Sequence, residues 1–210
     1  MKNLLLLIAS FLLCSISNGQ NFFGKKDEEN SAKPLEIELD AAIKKFSKAI
    51  TFERVSIKWG EANVAELLKF RKFLESAYPL IHSTPWIERQ MVSNLSLVYT
   101  IMPLIEDDDE FTNKPWILQA HQDIVPPTES HRWNVTPFSG QIVYKPKNLY
   151  EILYDPKTKN CSKKFSADDP DNKDYYVYGR GTADSKYIIM LIMEAIEHII
   201  GQGLRPYAKG

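Results

Sequence analysis

The chain has few cysteines and histidines, no excess of charge and no long hydrophobic run, and each shortage excludes something. Of 210 residues, two are cysteines and four are histidines, while 26 Lys and Arg stand against 27 Asp and Glu. With charge so evenly balanced and no basic stripe, nucleic acid is not an expected partner. The N-terminal apolar run, Leu4 to Leu13, is about half the ~20 residues needed to span a bilayer. No membrane span is therefore expected in the mature protein. No internal repeat is present.

What the first twenty residues do contain is a secretory signal pattern. Lys2 precedes the apolar run, and small or polar residues from Ser15 to Gly19 follow it, as a charged start, a hydrophobic centre and a cleavage site would. Residues 1–19 are expected to be a signal peptide, 20–34 a polar spacer, and the mature protein to be secreted or lumenal. Cleavage would remove Cys14 and leave Cys161 alone. No internal disulfide is then possible, so stability must come from core packing. Asn94-Leu95-Ser96, Asn134-Val135-Thr136 and Asn160-Cys161-Ser162 fit the N-glycosylation acceptor pattern. The run Glu106 to Glu110 reads as a solvated loop tip.

Hydrophobic periodicity organises the remainder. Leu39, Ala42, Ile43, Phe46 and Ile50 predict a helix over Ile37 to Ile50, and Val64, Leu67, Leu68, Arg71 and Leu74 another over Asn63 to Ala77. Strands are expected at Trp86 to Val92, Leu95 to Met102, Pro115 to Ala120 and Val135 to Tyr144, with a return through Tyr175 to Tyr178. The stretch from Lys145 to Asp174 is rich in Lys, Asp, Asn and Pro and reads as a surface insertion. From Ala183, a broadly apolar helix runs to Gly201 and Gly203 and should be buried against a sheet. Helices alternating with strands indicate an α/β fold, a mixed sheet flanked by helices.

Two short runs carry the chemistry. In Ala120-His121-Gln122-Asp123-Ile124-Val125-Pro126-Pro127, the alternation of a strand end puts His121 and Asp123 on one side. His121 can offer one ring nitrogen to a metal while Asp123 accepts a hydrogen bond from the other. In Tyr178-Gly179-Arg180-Gly181-Thr182-Ala183-Asp184-Ser185-Lys186, glycines permit a tight strand-to-helix turn that presents Asp184. Taken singly, His121 also reads as a surface histidine and Asp184 as an ordinary helix cap. Trp133 and Phe138 read as packing residues. His82, His131 and His198 read as surface histidines, and Glu194 and Glu197 as the polar face of the last helix.

The ordered set of these two runs, with Trp133-x-x-x-Pro137-Phe138-Ser139-Gly140 between them, resembles the di-zinc aminoacylase and carboxypeptidase family. Within that family it is nearest to the branches of yeast vacuolar carboxypeptidase S and the secreted N-fatty-acyl-amino-acid hydrolases. The likeness extends from about Ala41 to Gly203. It implies that His121 ligates one zinc, that Asp123 orients this histidine, and that Asp184 bridges two zinc ions. It also implies a cis peptide after Asp184, where Ser185 stands in place of the commoner Asp. Lys186 matches the pattern, without a metal role. The family's general base, a glutamate, its remaining ligands and its lid domain would lie beyond residue 210. Residues 35–210 then form the N-terminal portion of a catalytic domain.

The resemblance implies an exported zinc metallohydrolase that cleaves an amide next to a free carboxylate, in a peptide or an N-acyl amino acid. The alternative is a non-catalytic truncated relative acting as an exported binding protein, or an incomplete gene model. Substrate side-chain preference and oligomeric state are not legible.

Overall fold

A computed structural model of the chain describes residues 39–58, 61–62, 64–106, 117–128, 133, 135–145, 151–161, 174–205 and 207–209. The signal and spacer, His131, Asn134 and most of the acidic run lie outside these residues. The chain divides into two compact units, one of Glu38–Ala77 with Ala120–Met190, the other including Tyr78–Gln119 and Leu191–Gly210.

In the first unit, the expected helices are found at Leu39–Ile50 and Val64–Ala77. The former carries Asp40 in its first turn and Lys48 in its last, each suited to the helix dipole. It buries Phe46, Ala49 and Ile50. The latter buries Leu67, Phe70, Arg71 and Leu74, the i, i+3, i+4, i+7 stripe of an amphipathic helix. Phe70 replaces two residues of the expected face, since Val64 and Leu68 are about half exposed. Phe70 also meets Phe52 edge-on, with ring centroids 5.5 Å apart.

The same unit holds a four-stranded antiparallel sheet, in the order Asn160–Cys161, Glu151–Asp155, Ile142–Tyr144, Tyr175–Val177. Ile142, Val143 and Leu153 are buried on it, and Ile43, Tyr175 and Val177 pack against Ile142 and Leu153. Two expectations change here. Residues 135–141 are not strand, because Ser139 N–H donates to the Thr136 carbonyl at 2.9 Å and Gly140 turns at φ +64°. Part of the supposed surface insertion, Glu151–Asp155, is an inner strand with Leu153 fully buried.

In the second unit, Ile87–Val92 pairs antiparallel with Ser96–Ile101 through Ser93 and Asn94, both at positive φ, a turn whose twist suits a hairpin. Leu104–Glu106 pairs in parallel with Tyr207–Lys209. A short helix, Pro79–Ser83, follows Tyr78 and was not expected. Pro79 occupies its first turn, where a missing N–H costs nothing. Both carboxylate oxygens of Glu197 accept its free N–H groups, from Leu80 and Ile81, at 2.9 Å each.

The apolar helix is Tyr187–Gly201, and the division between units falls within it. Met190, Met193, Ala195 and Ile199 are buried. Gly203, at φ +71°, ends it, its N–H donating to Ile200 at 2.8 Å. Glu194 is buried rather than on a polar face. It accepts a hydrogen bond from the Tyr78 hydroxyl. Among the described residues no helix is long and apolar enough to cross a membrane.

The mixed α/β class stands, but the single mixed sheet is replaced, among the described residues, by small separate sheets. The buried strand at Pro115 to Ala120 is the main departure. Its described part, 117–120, has no strand structure, and Ile117 and Leu118 are 85% and 60% exposed. A strand needs a ladder partner for its backbone groups, and none among the described residues supplies one. Pairing begins further on, in a parallel bridge of Ile124 with Val55.

Candidate functional site

The site is built in the first unit around the segment from Ala49 to Ser56. The Ile124 N–H donates to the Arg54 carbonyl at 3.0 Å, and the Ser56 N–H to the Ile124 carbonyl at 3.1 Å. These two bonds hold the His121 run. Beneath it lies Arg54, 1% exposed, its guanidinium 3.8 Å from the Phe70 ring centre and Nη1 3.4 Å from Gln122 Oε1. Burial lowers the Arg54 pKa to about 9, against the opposing pull of the Asp123 carboxylate.

The second run forms the expected strand-to-helix turn. It leaves the Tyr175–Val177 strand, turns through Gly179 and Gly181, and enters the helix at Tyr187. Gly181 is at φ +86°, and a Cβ there would sit 2.8 Å from Ile124 Cγ2. Only glycine lets the two runs approach this closely. Trp133 packs edge-on to Tyr178 at 5.8 Å, Phe138 is buried, and the Arg180 N–H donates to the Pro137 carbonyl at 2.6 Å. The middle motif thus serves packing, as expected of Trp133 and Phe138.

His121 and Asp184 come together. His121 Nε2 lies 2.9 Å from Asp184 Oδ1. On the other side of the ring, Nδ1 lies 2.9 Å from the Asp123 carbonyl oxygen and 3.3 Å from its Oδ1. Ser56 Oγ donates to Asp123 Oδ2 at 3.0 Å, a contact with no signal in the sequence. The peptide bond after Asp184 is cis. The site is open, the Asp184 side chain being 81% exposed.

Both ring nitrogens of His121 therefore face oxygen acceptors, whereas a neutral imidazole has one N–H to donate. Burial opposes protonation of the ring, but the hydrogen bonds to Asp184 and Asp123 and their charges hold its pKa above the ordinary histidine value. A cation bound by Nε2 and Oδ1 together would satisfy both atoms with the ring neutral. Nitrogen and carboxylate oxygen are both zinc donors, so the residues present fit a zinc ion as a partial ligand set. Among the described residues no group of three or more His, Cys, Asp or Glu is placed to hold a metal. Asp123 is turned away towards Nδ1 and Ser56.

The other histidines among the described residues, His82 and His198, take no part. His82, expected at the surface, is partly buried between the Tyr78 carbonyl, 2.7 Å from Nδ1, and the Tyr99 hydroxyl, 3.0 Å from Nε2. His198 lies 3.0 Å from Gln202 Nε2. Glu197 is occupied in capping the short helix.

Comparison with known proteins agrees with the motif resemblance. The chain is 28% identical to a probable carboxypeptidase S-like 2 of Dictyostelium discoideum, over 95% of this chain and 33% of that protein. It is 23% identical to the N-fatty-acyl-amino acid synthase/hydrolase PM20D1.1 of Danio rerio, over 96% of this chain and 34% of that protein. A probable carboxypeptidase S-like 1 of Dictyostelium discoideum is 29% identical over 74% of this chain and 24% of its own length. The chain spans about a third of the length of the first two relatives. No family model matches it, and no solved structure matches it. The resemblance to carboxypeptidase S and N-fatty-acyl-amino-acid hydrolases is thus carried by named relatives of hydrolase type.

Proposed function

We propose that this chain carries part of the catalytic site of a zinc amidohydrolase, one that cleaves an amide adjoining a free carboxylate in a peptide or an N-acyl amino acid. The observation that supports it is the meeting of His121 Nε2 with Asp184 Oδ1 at 2.9 Å, on an open surface, with no proton arrangement that suits a neutral ring. In this reading His121 would be a ligand of one zinc ion and Asp184 a ligand shared by two. Bound zinc supplies Lewis acidity, polarising a carbonyl and bringing the pKa of water towards neutrality. The chain's own residues do the positioning. Asp123 holds Nδ1 through its carbonyl and carboxylate, Ser56 holds that carboxylate, and Nε2 is left aimed at Asp184. The general base and further ligands are supplied by residues other than these. Residues 35–210 form the N-terminal portion of the catalytic domain, and residues 1–19 direct the protein to the secretory pathway.

The test is zinc stoichiometry on the purified chain after dialysis, with hydrolysis of N-fatty-acyl amino acids and of peptides with free C-termini. Wild type is expected to retain zinc, and His121→Ala and Asp184→Ala to lose it. Equal zinc in the Asp184→Ala variant would end the bridging assignment. A second reading, a non-catalytic exported binding protein, would need no ligand beyond those among the described residues. Turnover of either substrate class by the purified chain would overturn that reading.

A further inference from the structure

One buried cation near this site is not used by it. Lys186 is 0% exposed, yet it lies two residues after the most exposed of the candidate ligands. Its ammonium donates to two main-chain carbonyls, Ala49 at 3.2 Å and Phe52 at 2.6 Å. Both belong to the end of the Leu39–Ile50 helix and the turn after it, where the Ala49 carbonyl has only the Phe52 N–H, at 3.5 Å, as a main-chain donor and the dipole favours a cation. Burial lowers the lysine pKa to about 7 and the nearby Arg54 charge adds to this, against the opposing pull of the Glu66 and Glu53 carboxylates. An ammonium whose hydrogen bonds go to carbonyls, with carboxylates only further off, is costly to bury, and an apolar side chain would fill the same space without that cost. The Lys186 main chain is tied as well, its N–H donating to the Gly181 carbonyl at 3.1 Å. Its Cδ and Cε run within 3.5 Å of where a Gly181 Cβ would be.

The segment on which Lys186 is hooked also holds the other run, through Arg54, Ser56 and Ile124. Both candidate ligands are thus referred to one frame, His121 by main-chain pairing and Asp184 by the lysine. Asp184 has non-helical backbone angles, φ −136° and ψ 99°. Its carboxylate is spent on His121, not on the helix N-terminus. We infer that Lys186 is a positioning residue: its hydrogen bonds to the Ala49 and Phe52 carbonyls lock the Gly181–Lys186 turn so that the Asp184 carboxylate is held against His121. The importance of that placement for metal binding rests on the zinc reading above; the placement itself does not.

The experiment compares wild type, Lys186→Met and Asp184→Asn as full 210-residue chains. Zinc affinity is measured by titration calorimetry. In metal-free protein, the hydrogen-bonded ring proton of His121 is followed in long-range proton–nitrogen spectra, with circular dichroism to report the fold. Lys186→Met is expected to keep a cooperative fold, to lose the protected His121 ring-proton resonance, and to bind zinc about ten- to a hundredfold more weakly, as when an outer-shell partner is removed. A purely structural lysine would lower the melting temperature but leave that resonance in the folded protein. An unchanged resonance and unchanged zinc affinity in folded Lys186→Met would overturn the inference. If wild type binds no zinc but Lys186→Met still loses the ring-proton signal, the zinc reading fails and the positioning role stands. Should Lys186→Met fail to fold, Lys186→Gln, which keeps a shorter donor, is read in the same two ways.

Discussion

Tyr78 shows how much a single side chain's surroundings matter. It is fully buried, its hydroxyl donates to the buried Glu194, and Glu197 adds further negative charge. Burial first, and then these carboxylates, push its pKa well above the ordinary value of about 10. Below pH 10 the hydroxyl is protonated in folded and unfolded chains alike. Above it, the unfolded chain releases the proton while the folded chain keeps it, so stability falls by about 1.4 kcal/mol per pH unit from this group. Urea unfolding at pH 9 and pH 11 should therefore show a smaller alkaline loss in Tyr78→Phe than in wild type. The phenylalanine variant should also be about 1–3 kcal/mol less stable at pH 7, because Glu194 loses a buried partner. None of this was legible in the sequence, where Glu194 falls among polar helix positions. By contrast His121, Asp123 and Asp184 were legible as candidates from residue type and spacing. Ser56 and the anchoring by Lys186 were not, since no local pattern distinguishes a hydroxyl or amine that finds its partner across the fold.

Elements were read best where one local rule dominates. The two N-terminal helices and the last helix follow from a 3.6-residue apolar period, and the hairpin from two β-rich runs around Ser93-Asn94. The strand Glu151–Asp155 was missed because the composition around it is polar. Its signal was the Asp155-Pro156-Lys157-Thr158 stretch, in which Asp155 Oδ1 accepts the N–H groups of Lys157 at 2.8 Å and Thr158 at 3.4 Å, as turn-forming aspartates do. If the segment were surface insertion, truncating Leu153 would cost little. As an inner strand with this residue fully buried, Leu153→Ala should cost about 2–5 kcal/mol, measured by chemical denaturation. Ile152→Ala, on the exposed side, should cost much less.

At the scale of the whole molecule, apolar side chains remain exposed, among them Ile117 at 85%, Leu118 at 60% and Met91 at 56%. Such surface favours self-association. The double variant Ile117→Lys, Leu118→Lys is expected to raise soluble yield and reduce association in sedimentation, with unfolding free energy within about 0.5 kcal/mol of wild type for each exposed substitution. A large loss of stability would mean that these residues are packed. The sequence by itself determined the helices, the hairpin, the glycine turn and the identity of the candidate ligands, because each depends on neighbours a few positions away. Only the tertiary structure decided that His121 and Asp184, 63 positions apart, meet at hydrogen-bond distance. It also decided that Lys186 is buried on main-chain carbonyls and that 117–120 form no strand. Such outcomes depend on which surfaces find partners in three dimensions, and periodicity along the chain carries no information about that.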